Sequence, residues 1–372
     1  MGATPHLVDW SVLPRVVRLG KHLPLNALSE HKLTCKCQTK YTLTEVVASL
    51  VAVEQPRTVI LTEANPHDAA DPDTSLEKAP LMDEEVMVFK EQPITSNMRK
   101  TIRHLITVGG SKARWRGLGA SIVYHITHTL CMHLVSAMFG NPPSMVFPVS
   151  FSVSWILSAV FLSRIHATWT QVMISQPSAL PWYRRIPGGR PVYKALILPS
   201  FVYAVAQLAI VIIPVSILAP SIDDYTSGNR IAAGREQEAV SRLITAIAAA
   251  LFIGLAFVLP ASVTLTRVEA SLLPEDQETI VNFDRTLGGT AMDPANLTTR
   301  ECVSMFFGAW KSFDRASRTR LVTYYFKMCL ALASIVILGV LAVWTEIVLI
   351  GPEKLKAFVL AGTAQLELMK YN

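Results

Sequence analysis

Apolar residues in this chain gather in long blocks instead of recurring at helix or strand period. A hydrocarbon core of ~30 Å needs about 20 apolar residues as helix. Five blocks have that length: Gly117–Phe139, Met145–Thr168, Val192–Ala219, Ala239–Val268 and Tyr325–Ile350. Ile244–Leu259 and Leu330–Trp344 hold no charged residue, whereas the second and third blocks carry His, Arg or repeated prolines that blur their ends. The pattern predicts an all-α integral membrane bundle of five spans. Leu43–Val53 is a sixth apolar stretch, too short to span alone and interrupted by Glu45; an interfacial helix and a truncated first span both fit it.

The polar stretches differ in sign. Before the sixth candidate, Arg15, Arg18, Lys21, Lys32, Lys36 and Lys40 outweigh Asp9 and Glu30. Pro14 interrupts the helix there, and the apolar centre of a secretory signal is missing. From Pro56 to Gln92 acids dominate without apolar period, which predicts a solvated, mobile linker. Pro93–Arg116 reverses to Arg99, Lys100, Arg103, Lys112, Arg114 and Arg116, with Ile94, Met98, Ile102, Leu105 and Ile106 at helical spacing. That reads as a basic amphipathic helix on a membrane surface, facing anionic lipid headgroups. The organisation is therefore a basic segment (1–55), an acidic linker (56–92), a bundle (93–350) and a tail (351–372). Loop charges put the segment before the first span, Gln171–Lys194 and Glu269–Phe326 on one face, cytosolic or matrix-facing. The sequon at Asn296 falls in a loop of that face and is expected to stay unmodified.

Composition agrees with a membrane class. Apolar residues make up 51% and charged residues 17% of the 372, against about 25% charged in globular chains. This excludes a soluble globular enzyme, a disordered chain and a disulfide scaffold. The net charge of +6 is what cytoplasmic loops supply and does not indicate nucleic acid. His31, Cys35 and Cys37 lack the further ligands a zinc site needs.

Candidate chemistry sits inside the spans. His125 and His128 share a helix face in the first, with His133, Tyr124 and Cys131 nearby. Imidazoles in hydrocarbon must point at partners, water or a ligand. With one cluster and almost no acid in the spans, hydrogen bonding or a polar cavity is preferred to a metal, and no cofactor is expected. Arg164 and His166 close the second span, and Arg267 and Glu269 the fourth. Snorkelling to headgroups is one reading of these; a polar pathway shared with His125, His128 and Glu346 is the other. Ala246, Ala250 and Gly254 give small-residue steps for close helix packing. No hydrolase triad, phosphate loop, dinucleotide fingerprint or paired membrane aspartates are present, so no enzyme is expected.

Two patterns resemble the mitochondrial carrier family. Gly110-Ser-Lys-Ala-Arg-Trp115-Arg116-Gly117 looks like the sequence before an even-numbered carrier helix, and Pro260 with Arg267 seven residues on like the end of an odd-numbered one. Ser262 and Leu265 stand where that family places its acid and its base, and the second span lacks the proline. Pro93–Leu105, His166–Ser175 and Trp182–Pro187 resemble a group of fungal multi-pass membrane proteins, which implies topology. The first expectation is a carrier-like transporter of a small anionic or amphipathic solute; the carrier resemblance implies the mitochondrial inner membrane, and an endomembrane is the other residence left open. His125, His128, Arg164, His166 and Arg267 would attract the solute. The alternative is a non-transporting membrane scaffold that recruits partners through its polar loops.

Overall fold

The computed structural model describes residues 41–56, 58–61, 87–90, 92–139, 149–226, 235–289 and 297–350. The expectations for the amino-terminal basic segment, the His31–Cys37 group, the middle of the acidic linker, Asn296 and the tail lie outside these residues. Helix dominates: α1 (Thr42–Val53), α2 (Met98–Gly109), α3 (Leu118–Phe139), α4 (Val149–Phe161), α5 (Ser163–Ile174), α6 (Arg190–Thr226), α7 (Arg235–Ile253), α8 (Leu259–Ser271), α9 (Thr299–Lys311) and α10 (Arg315–Ile350). Four helical stretches among the described residues are long and apolar enough to cross a membrane, or five if the bent pair α4–α5 is one span. The fold is thus an all-α bundle of the multi-pass membrane kind. Its one sheet among the described residues is an antiparallel ribbon of β1 (Thr58–Leu61) and β2 (Met87–Lys90), pairing Thr58 with Lys90 and Leu61 with Met87. The two ends of the stretch expected to be a solvated, mobile linker are therefore joined.

Contacts divide the chain into two units, residues 1–44 with 323–372, and residues 45–322. In the first, the Tyr324 hydroxyl donates to the Leu43 carbonyl at 2.6 Å. The part of α10 in this unit exposes Leu330, Ile337, Leu341 and Trp344, as a lipid-facing helix does.

In the second unit, α3 shows how sequence sets the faces. Ile122, Ile126, Leu130, Leu134 and Met138 recur every four residues and are exposed, while Ala120, His128, Met132 and Ser136 are buried. The large apolar side chains of this stripe point outward, as they do where the surrounding medium is lipid, while His128 and Ser136 turn inward. The second expected span is broken: α4 and α5 meet at Leu162 (ψ 9°) with a bend of 57°. The fourth holds a π-helical turn, Gly254–Val258, just before Pro260; a proline lacks the N–H that would continue an α ladder, and a π turn absorbs the break. At that turn α7 lies close to α6, where a Cβ on Gly254 would sit 3.4 Å from Ile210.

Two further differences concern length. A helix, α9, occupies part of the stretch expected to be loop, and α10 begins at Arg315, ten residues before its apolar block. In the core of this unit Cys302, Met305 and Ala309 of α9 pack with Ala167 of α5, Leu196 of α6 and Val268 of α8.

Candidate functional site

The carboxyl ends of α1, α5 and α8 meet, and the segment after α8 joins them. Ile280 donates to the Ile174 carbonyl (2.8 Å), Gln176 to that of Glu278 (2.8 Å), and Gln55 to that of Asn282 (2.9 Å). Glu54, just past α1 and buried, accepts from the Ile94 N–H (2.6 Å), the Thr95 N–H (2.9 Å) and the Thr95 hydroxyl; Arg320 stands 3.9 Å away. It anchors the turn that starts α2, whose own cap is Asn97. The loop after α8 turns on Asp284, which accepts from the Thr286 N–H (2.9 Å) and hydroxyl (2.7 Å). Burial pushes its carboxyl up, but these bonds, with that from Gly288 and the charge of Arg267, outweigh burial and hold it below the ordinary carboxylate range.

The Trp115-Arg116-Gly117 triplet now has a physical reason. Arg116 donates to the carbonyls of Val172 (3.3 Å) and Ser175, capping α5. Gly117 has φ +73°, and a Cβ there would lie 2.9 Å from Trp169 and 3.0 Å from Met173. Only glycine lets α3 start this close to α5.

That approach brings a polar aromatic cluster together. Tyr124 of α3 lies against His166 (ring centroids 5.1 Å) and Trp169 (5.9 Å) of α5, and against its neighbours His125 (5.4 Å) and His128 (5.7 Å). His128 meets Trp155 of α4 edge-on at 4.9 Å, and His166 reaches Tyr203 of α6 at 6.2 Å. His166 Nδ1 is 2.6 Å from Oε1 of Glu269 in α8, whose side chain is 0% exposed. Oε2 of Glu269 is buried with no hydrogen-bond partner. Gln171 holds the Glu269 backbone carbonyl at 3.0 Å.

Of the residues singled out for solute binding, His125, His128 and His166 come together, with His125 the most exposed of the three. Arg164 does not join them; its Nε donates to the Pro187 carbonyl at 2.7 Å. Arg267 neither snorkels nor faces the cluster. It is wholly buried, donates to the carbonyls of Ala52 (3.3 Å) and Val53 (3.4 Å) and to the Ser312 hydroxyl (2.9 Å), and lies between the rings of Phe283 and Phe313. It ties α8 to the end of α1. His133 is exposed. Among the surface cations, Arg99, Lys100, Arg103 and Lys112 are exposed on and beside α2, while Arg114 and Arg116 are turned partly into the protein. The sequence placed Glu269 only as a span end; its position two residues from Arg267 in an apolar stretch was the available signal. Trp155 and Tyr203 carried none, because tryptophan and tyrosine are ordinary residues of a span. Among the described residues no group of three metal-ligating side chains can hold an ion. No protein-family model matches the chain, and no curated protein matches it.

Proposed function

We propose that the chain is a carrier-like transporter of a small anionic or amphipathic solute, and that the solute passes the cluster of Tyr124, His125, His128, Trp155, His166 and Trp169. The observation that supports this is the buried Glu269–His166 pair, placed among apolar helices where ionisable groups are costly and mark solute or ion pathways. Imidazole, phenol and indole edges offer both donors and apolar faces, which suits an amphipathic ligand. With Arg164 and Arg267 engaged on carbonyls, anion attraction falls to the histidines and to the exposed Arg99, Lys100 and Arg103 of α2, which would lie against anionic headgroups. The joined ends of α1, α5 and α8 would form the closed side of the pathway.

The test is uptake by liposomes containing the purified full chain, using labelled succinate, inorganic phosphate and choline. Saturable uptake of an anion is expected, falling at least tenfold in His128→Ala. No uptake of any probe favours the scaffold. The carrier resemblance further leads us to expect the tagged protein in the mitochondrial inner membrane; its recovery in endomembrane fractions would sink that part.

A further inference from the structure

Glu269 has an unusual environment for a carboxylate. One oxygen lies on His166 Nδ1 and the other is buried without a partner. The nearest guanidinium groups in sequence are turned away. Successive helical residues are rotated by about 100°, so Arg267, two positions earlier on α8, lies on the opposite face, bonded to Ala52, Val53 and Ser312. Arg164 is likewise two positions from His166 and is bonded to Pro187. Among the described residues no Lys or Arg is at ion-pair distance from Glu269. Burying an unpaired carboxylate is expensive, and such a group acquires a proton or a cationic partner instead. His166 is the one such partner here, and its charge depends on a proton.

We infer that the His166–Glu269 pair is a proton-binding site, loaded when the solute enters and emptied when it leaves. Coupling to the solute rests on the transport reading above; proton binding by the pair does not. The remaining groups that face the pair are Tyr124, His125 and His128 from α3, Trp169 on α5, Tyr203 from α6, and Glu45 of α1, whose negative charge also acts on His166. None of them is a fixed cation. The unloaded pair carries the single negative charge of the carboxylate. The proton comes from the aqueous phase that delivers the solute, resides between Nδ1 and Oε1, and leaves to the opposite phase. Each proton carried cancels one negative charge of the solute.

Two measurements separate the claims. The first is nitrogen-15 NMR of the histidine rings in the full chain in lipid nanodiscs, with His166→Gln identifying the resonance. His166 is expected to change protonation across the pH range around the ordinary histidine value of ~6.5, with at least tenfold weaker proton binding in the isosteric Glu269→Gln. A His166 resonance that ignores pH, or one that Glu269→Gln leaves unmoved, overturns the proton site. The second uses liposomes with a pH dye trapped inside and labelled succinate or phosphate outside. Uptake that acidifies the lumen in the wild type, and loses its dependence on a pH gradient in Glu269→Gln, supports coupling. Uptake without acidification overturns coupling while transport stands. Absence of uptake overturns transport, and the ring titration still decides the proton site.

Discussion

At the scale of single residues, the fate of a charge in this bundle follows from what lies within reach of its side chain. Arg267 and Glu269 are both wholly buried and each leaves one polar atom without a partner, Nε and Oε2, yet the guanidinium makes three hydrogen bonds and the carboxylate one. The planar guanidinium spreads its donors over two main-chain carbonyls and a hydroxyl while its faces rest on Phe283 and Phe313. A lysine keeps the charge but cannot reproduce that fork. Arg267→Lys should therefore cost about 1.5–3 kcal/mol, the range for hydrogen bonds to charged groups, read as a lower melting temperature of the purified protein with solute uptake otherwise retained. An unchanged melting temperature would mean that the contact with α1 contributes nothing. Leu287 shows the opposite compromise. It holds φ 54°, a left-handed conformation that costs a branched residue about 1–2 kcal/mol, and its burial in the core offsets the strain. Neither residue role was legible beforehand. A sequence shows that a charge is present, but not which carbonyls will be near it.

At the scale of elements, the apolar blocks marked the spans because length and hydropathy are what a bilayer selects. The first block matches α3 to within a residue, and the basic period of Pro93–Arg116 became α2. The misses have separate causes. Block edges follow hydropathy, and helices such as α6 and α10 continue past them through polar residues. The helix α9 is amphipathic and too short to register as a span, although Thr298 and Glu301 form a capping box that announces its start. The hydrogen bonds from Thr298 also hold the Glu301 carboxyl below its ordinary range. The ribbon of β1 and β2 was hidden because its strands are only four residues each and lie far apart in sequence. The site was half legible for the same reason. The histidines of α3 stood out as polar residues in an apolar block, whereas their approach to α5 depends on a glycine contact that no spacing reveals.

At the scale of the molecule, the open matter is whether α4 and α5 cross the membrane together or turn back. α4 has 13 residues and α5 has 12; at 1.5 Å per residue each reaches only about 20 Å, short of a ~30 Å core. Neither half crosses alone. A re-entrant pair must reverse direction, which takes a bend near 180°, and the chain turns by 57° at Leu162. The pair is therefore expected to cross as one span. Its second half is acceptable at that depth because Thr168, Thr170 and Gln171 are buried against protein instead of lipid. This predicts that the end of α3 and the segment after α5 lie on opposite faces, giving five spans. Cysteines placed at Phe139 and Ser178, both exposed, in a cysteine-free background should react with a membrane-impermeant thiol reagent from opposite sides of sealed vesicles. A cysteine at exposed Lys112 should label from the Ser178 side, since α3 separates it from Phe139. Labelling of Phe139 and Ser178 positions from one side would make α4–α5 a re-entrant loop. The bundle would then have four spans, and the His166–Glu269 pair would sit near one surface, reached by water directly, instead of lying on a path across.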